Sequence, residues 1–334
     1  MDPISQAALG ASLSQSFAKN KSNQKSALVI GALAGMAPDL DVLIRSAADP
    51  ILFLEFHRQF THSLIFIPFG ALLCALVFYQ FYKSRLSFKQ VYVFSFLGFA
   101  THGLLDACTS YGTQLLWPFS HARIAWNTVS IIDPLFTLPV IIFIVLAVKK
   151  KNIFYARISF IYAVLFLALG VVQNNRAEKA LYELAAQRNH QVERIHVKPS
   201  FANRHLWKLI YEYDGRYYVD AVKLLSDVEI IPGTSIQKLD VKRDFPWLPK
   251  NSQQAKDIER FRWFSDDFLA VSQKDSMLIM DVRYSFLPNK VKSMWGITLD
   301  KNKVDAGDND GHVGYEMKRE LNKETYDQFI DMLF

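Results

Sequence analysis

Cysteine is nearly absent from this chain: there are two in 334 residues, Cys74 and Cys108, both within apolar stretches. Two thiols cannot build a four-thiolate zinc site, and they read as buried and free rather than as a disulfide. Charge is missing from residues 62–82, which hold no Lys, Arg, Asp or Glu. A run of that length is enough to cross a bilayer, which takes about 20 residues. A basic leader ahead of an apolar core is missing too. The chain opens MDPISQAALG, so no cleavable signal peptide is expected. Internal repeats and low-complexity tracts are absent. The net charge of +6 does not call for nucleic acid, because in such a chain basic residues flank membrane spans.

What is present is concentrated. The hydrophobic fraction is 51%, with 26 Phe, yet the mean hydropathy is only +0.08. Nearly all long apolar runs precede Gln173 and nearly all charge runs follow it. The chain therefore reads as mainly α: a polytopic transmembrane helical domain over 1–173, then a smaller α+β extracytoplasmic domain over 174–334. In the first half, residues 4–17 form a short helix with Pro3 near its start, too short for a comfortable span. Residues 27–44 are apolar and rich in small residues that let helices approach. Residues 62–82, 91–107, 131–148 and 158–172 follow, which makes about five spans or near-spans. Thr61 is placed to cap the 62–82 helix.

Basic linkers at 19–25, 83–89 and 149–157 punctuate these helices. The positive-inside rule puts all three in the cytoplasm. The acidic and histidine clusters then share the opposite face, and the chain after Val172 lies outside. In the second half, residues 174–187 read as an amphipathic helix. Residues 192–197, 206–213, 216–224, 261–264, 269–271, 277–286 and 294–299 read as strands, with Asp214-Gly215 as a hairpin turn. Residues 323–333 read as a closing helix. Asp305, Asp308, Asp310 and Gly311 lack the spacing of a calcium loop and read as a polar hairpin loop. His190, His196, His205 and His312 read as surface residues.

The chemistry gathers in the first half. His102 and Asp106 stand one turn apart, on one face of an apolar helix. Such a pair is costly inside a bilayer unless an ion or partner compensates it. Asp39 and Asp41 sit at the end of an earlier helix, and His57 and His62 flank the connection that follows. Asp133 precedes Pro134. Neutral imidazole and ionised carboxylate are the ligands of zinc, and carboxylate-rich sets also suit manganese or magnesium. His57, His62, His102, Asp106, Asp39, Asp41 and Asp133 suffice for one divalent ion with supporting carboxylates, or for two. Each has a plainer reading alone: Asp133 as a helix cap, Asp39 and Asp41 as a helix end, a lone histidine as a packing residue. Arg58 and Arg123 lie beside the clusters and suit an anionic group, or an ion pair with one of the aspartates.

These segments resemble a known family, the bacterial membrane-bound metal-dependent hydrolases of the YdjM-like type. The resemblance rests on MDPISQAALGA, GALAGMAPDLDVL, HRQFTHSL, and THGLLDACTSYGTQLLWPFS followed by SIIDPLFTLP. It covers roughly the first 150 residues. It implies an integral inner-membrane protein and a metal-dependent hydrolase, with Asp39, Asp41, His57, His62, His102, Asp106 and Asp133 at the acidic and histidine positions. Some relatives carry His where this chain has Gln6, and a small residue is usual where it has Gln59. The resulting expectation is hydrolysis at the outer interface of the inner membrane, on a lipid or lipid-linked phosphoester. Zinc is favoured as cofactor, with Asp39, Asp41 and Arg58 as catalytic residues. The rival expectations are a non-catalytic scaffold that presents the soluble domain, and a small transporter. The apolar middles of 62–82 and 131–148 argue against a transporter.

Overall fold

The computed structural model describes residues 1–305, 311–317 and 322–334. The chain divides into two compact units. The first holds Met1–Leu43, Phe56–Val172 and Phe201–Asn203; the second holds Ile44–Glu55, Gln173–Ser200 and Arg204–Phe334.

The helices of the first unit are α1 (Pro3–Ser16), α2 (Gln24–Met36), α4 (Ile67–Tyr82), α5 (Phe88–Ala107), α6 (Pro134–Lys149) and the first part of α7 (Ile153–Gln187); α3 (Leu52–Phe56) lies between α2 and α4. The short first helix is a buried core element. Asp2 caps it by accepting from the Ile4 and Ser5 amides, and Pro3 occupies its first turn. Its polar side chains are buried and tied to neighbouring helices. Ser14 Oγ donates to the Phe94 carbonyl at 2.8 Å, and Gln15 Nε2 donates to the Gln24 and Ile144 carbonyls at 3.3 and 3.4 Å. Interhelical bonds of this kind let a helix of low hydropathy sit inside a membrane bundle. Gly31 makes the close approach possible: a Cβ there would stand 2.6 Å from the Gly10 carbonyl oxygen and meet the Ser14 side chain.

Three helical stretches among the described residues are long and apolar enough to cross a membrane: Lys21–Leu43, Leu64–Tyr82 and Ile153–Gln187. The other two expected spans differ. α5 falls short in composition because it carries buried Ser95, Thr101, His102 and Asp106. α6 is shorter, at 16 residues or about 24 Å. Leu72, Leu73, Leu76, Ile142, Leu165 and Leu169 are exposed on α4, α6 and α7. Exposed apolar side chains in that quantity suit contact with lipid.

The second unit is built on two antiparallel four-stranded sheets. The first has the order β1 (Arg194–Pro199), β2 (Leu206–Tyr213), β3 (Arg216–Leu224), β4 (Val228–Gln237); the second has the order β5 (Leu269–Val271), β6 (Leu278–Asp281), β7 (Trp295–Thr298), β8 (Gly314–Met317). Four further helices complete it: α8 (Val241–Asp244), α9 (Gln253–Phe264), α10 (Lys301–Asp305) and α11 (Lys323–Leu333). Asp214 and Gly215 both take positive φ in the β2–β3 turn, as a two-residue hairpin of that sequence requires. Helix α7 runs without a break to Gln187, and its Ala177, Ala180, Leu181 and Ala185 pack on Val197, Trp207, Leu209 and Val222. Ile210, Tyr217 and Val219 of the first sheet pack on Phe268, Ala270 and Met280 of the second.

Three sequence expectations change here. Residues 261–264 end helix α9 instead of forming a strand, because Ile258, Phe261 and Phe264 bury one helical face. Strands β4 and β8 were not anticipated. Asp308 and Asp310 lie outside the described residues. The C-terminal histidines are engaged rather than simply exposed: His190 Nδ1 is 2.8 Å from the Tyr211 hydroxyl, His196 is buried against Phe268, His312 Nδ1 is 2.8 Å from Asp257 Oδ2, and His205 is half-buried.

Ile44–Glu55 is held by Arg260, which pairs with Asp49 at 2.7 Å, with Glu55, and with Asp257 at 2.8 Å. Lys198 and Lys208 are direct cross-strand partners on β1 and β2. Burial pushes the Lys198 ammonium down to about 7 and Lys208 well below the lysine range. Unfolded lysine holds its proton to about pH 10.4. Between those values the unfolded chain binds the extra proton, so stability rises as pH increases from about 7 to 10. Lys198→Met is expected to raise stability near pH 7 by about 2 kcal/mol and to flatten that rise. Thermal unfolding of the full chain at pH 7 and pH 9 checks it; equal slopes in both proteins would refute it.

Candidate metal centre

Helix α2 continues into a 3-10 stretch, Ala37–Leu43, which carries Asp39 and Asp41. The chain leaves the first unit after Leu43 and returns at Phe56. His57 and Arg58 follow, then a 3-10 turn, Phe60–His62, brings in His62. Helix α5 supplies His102 and Asp106. Asp39, His62, His102 and Asp106 form one group whose ligand atoms lie within 4.8 Å of one another. Asp39, Asp41 and His57 form a second group that shares Asp39.

The geometry of the first group is that of a coordination shell. His62 Nε2 and His102 Nε2 face each other at 2.9 Å. Asp39 Oδ1 lies 3.5 and 3.3 Å from them, and Asp106 Oδ2 lies 3.3 and 3.6 Å from them. A tetrahedral zinc ion with bonds of about 2.0–2.1 Å has ligand–ligand edges of about 3.3–3.4 Å. The cluster is therefore already close to the size of that tetrahedron.

The hydrogen bonds behind the ligands fix both tautomers. His102 Nδ1 lies 2.5 Å from the Gly35 carbonyl oxygen, so Nδ1 carries the proton and donates. Thr61 Oγ1 gives its proton to Asp41 Oδ2 at 2.8 Å, and so accepts from His62 Nδ1 at 2.9 Å. In the neutral rings both Nε2 atoms then present lone pairs to each other. Two lone pairs at that distance repel, and either a proton on one Nε2, which makes the contact a hydrogen bond, or a cation held with the two carboxylates relieves them. Asp106 Oδ2 accepts no well-aligned hydrogen bond, although Arg58 Nε lies 3.0 Å from it, while Oδ1 takes Gln6 Nε2 at 2.9 Å and the Met1 amino group. The residues present thus fit a divalent ion, with the outer-shell partners that metal-ligating histidines usually have.

His62, His102, Asp41 and Asp106 are buried. The Asp39 carboxylate is 27% exposed and the His57 ring 18%. Of the six Asp and His side chains only these two reach the surface, so they form the open side of the cluster. His57 Nδ1 is 2.7 Å from Asp41 Oδ1, a contact that uses one of its two ring nitrogens.

The remaining expected residues sit elsewhere. Asp133 is in neither group; it caps α6, with Oδ1 accepting from the Leu135 and Phe136 amides at 3.0 and 3.3 Å. Arg58 is buried and turned inward, with Nε 3.0 Å from Asp106 Oδ2 and Nη1 3.0 Å from Thr109 Oγ1. Arg123 donates to the Tyr111 and Gly112 carbonyls at 3.2 and 3.0 Å. His121 is exposed. Thr61 does not cap α4, whose cap position is Phe66; its hydroxyl serves Asp41 and His62. Thr61 and Gly35 were not singled out as site residues, and Gln6 was noted only as standing where some relatives carry His. Thr61 had a sequence signal in its place directly before His62; Gly35 had none.

Fold and cluster together define a class: a helical membrane protein with an Asp/His cluster able to hold a metal ion. The chain belongs to the YdjM inner membrane protein family, whose model matches residues 1–177, and its location is the inner membrane. It is 30% identical over 109 residues to the uncharacterized protein YfhP of Bacillus subtilis (strain 168), covering 32% of this chain and 33% of that protein. It is 31% identical over 108 residues to the inner membrane protein YbcI of Escherichia coli (strain K12), covering 31% of this chain and 61% of that protein. The chain thus spans a third and about three-fifths of the curated relatives it matches. No solved structure matches it.

Proposed function

We propose that the chain is a membrane-bound metal-dependent hydrolase acting on a lipid or lipid-linked phosphoester at the outer face of the inner membrane. The observation that carries this reading is the pair of converging Nε2 atoms, 2.9 Å apart and flanked by two carboxylates. His62, His102, Asp39 and Asp106 would hold the ion, with Asp41 behind His62. A divalent ion there supplies Lewis acidity and lowers the pKa of water. His57, oriented by Asp41, is the proton acceptor at the opening; a histidine fixed this way by a carboxylate suits a general base. Arg58 acts on the site's charge by neutralising Asp106, not on substrate.

The basic linkers support the outer placement of the site and of the C-terminal unit. The cluster lies at the end of α2 away from Lys25, and α7 follows Lys149–Lys151. One observation favours the scaffold reading: Asp106 already has the Arg58 guanidinium beside it, with Nε 3.0 Å from Oδ2.

The deciding experiment uses purified chain loaded with zinc or manganese and phosphatidic acid and phosphatidylglycerol in mixed micelles, with products followed by mass spectrometry. Turnover should require metal and disappear in His57→Ala and His102→Ala. Full metal loading without turnover on either lipid would remove the phospholipase reading and leave a metal-stabilised scaffold.

A further inference from the structure

The other end of α2 carries an independent feature. A cavity of about 420 Å³ opens there, lined by Ser22, Asn23, Lys25, Ser26, Tyr82 and Arg85 among others. We propose that it binds the phosphate of an anionic phospholipid headgroup at the cytoplasmic leaflet, separate from the metal centre.

Four observations converge on that ligand. First, the charge is uncompensated. Lys19, Lys21, Lys25, Lys83, Arg85, Lys89, Lys149, Lys150, Lys151 and Arg157 punctuate the helices, while residues 3–38, 56–105 and 134–177 contain no Asp or Glu. Second, the side chains of Lys25 and Arg85 make no ion pair or hydrogen bond among the described residues, so both cations are available. Third, no acid stands at the start of α2. Asn23 gives no capping hydrogen bond, and no acidic residue occupies the first turn. α2 continues from a 3-10 turn, Lys21–Asn23, and the positive end of the helix dipole there adds to two free cations in a cavity. Fourth, the helix that ends at the cavity offers apolar surface for acyl chains: Val77 and Phe81, on the last turns of α4 before Tyr82, are 58% and 78% exposed. A phosphate carrying two acyl chains satisfies both surfaces, and basic pockets between helices on the cytoplasmic side recognise such headgroups.

The cavity and the metal cluster lie at opposite ends of the one stretch Lys21–Leu43. From Lys25 to Asp39 is about 20 Å along the helix. The lipid is therefore not the hydrolytic substrate in place, and the site stands whether or not the chain is a hydrolase.

The test is native mass spectrometry of delipidated full-length chain in neutral detergent, titrated with phosphatidylglycerol or phosphatidylcholine. One phosphatidylglycerol per chain is expected, in strong preference to phosphatidylcholine. Lys25→Gln and Arg85→Gln should each weaken it about 5-fold, and the double variant about 25-fold. Both side chains are exposed, so the variants should melt as wild type and keep their metal content. Inorganic phosphate at millimolar concentration should compete only weakly if the acyl chains contribute; full competition would identify free phosphate as the ligand instead. Equal retention of phosphatidylcholine, or unchanged affinity in the folded double variant, overturns the proposal.

Discussion

His62→Ala and His102→Ala are each expected to weaken divalent-metal binding by about 100-fold or more, measured by chelator competition and metal content of the purified chain. The expectation follows from the positions of the two Nε2 atoms, each of which would supply a vertex of an Asp39–His62–His102–Asp106 shell. Thr61→Val should cost less, about 10-fold. It removes no ligand, only the oxygen that keeps the His62 Nδ1 proton in place, and outer-shell losses fall in the 10–100-fold range. Asp133→Asn should leave metal affinity unchanged and lower stability by no more than about 1 kcal/mol, since asparagine also caps helices. The order of the series is the test. A chain in which Asp133 mattered as much as His102 would have a different centre from the one described. A chain in which none mattered would hold no metal here.

That ordering also marks how far the sequence could be read. Helical spacing alone puts His102 and Asp106 on one face, and the depth of Asp39 and His62 follows from the alternation of basic linkers. The tautomers do not follow. They depend on the Gly35 carbonyl, 67 residues before His102, and on the direction of one threonine hydroxyl. Asp133 carries a carboxylate at the right depth, but Pro134 behind it selects a cap, and pattern alone left both roles open. In the second unit, the Phe-Arg-Trp-Phe run at 261–264 is aromatic enough to suggest a strand. Only with Ile258 included does the helical period emerge. Strand β4 was hidden for the opposite reason. It contains Pro232 and Gly233, residues typical of turns, yet β4 is the edge of its sheet, where proline costs no ladder bond, and a bulge between Val219 and Ala221 faces it. The polar helix α1 shows the same limit. Its burial depends on hydrogen bonds to Phe94, Ile144 and Asp106, not on its own hydropathy.

Arg58→Met should separate the metal centre from a metal-free scaffold. Arg58 is 3% exposed, with its guanidinium beside Asp106 Oδ2 and over the Tyr111 ring, and its φ of +66° holds the backbone in the left-handed region. Its amide also donates to Asp41 Oδ2 at 3.0 Å, a bond the substitution keeps. Losing the guanidinium leaves a buried carboxylate short of one positive charge, a change that typically costs about 3–5 kcal/mol. Methionine fills much of the volume, so the loss is mainly electrostatic. If His62, His102, Asp39 and Asp106 take up a divalent ion, that ion supplies the missing charge next to Asp106. Zinc at 1,000 times its Kd would also add about 4 kcal/mol to any chain that binds it only when folded. The variant should therefore melt far below wild type in chelator and recover most of the gap when zinc is added. In a scaffold held together by internal ion pairs, zinc has no such place to act. The variant would then stay equally destabilised with and without it.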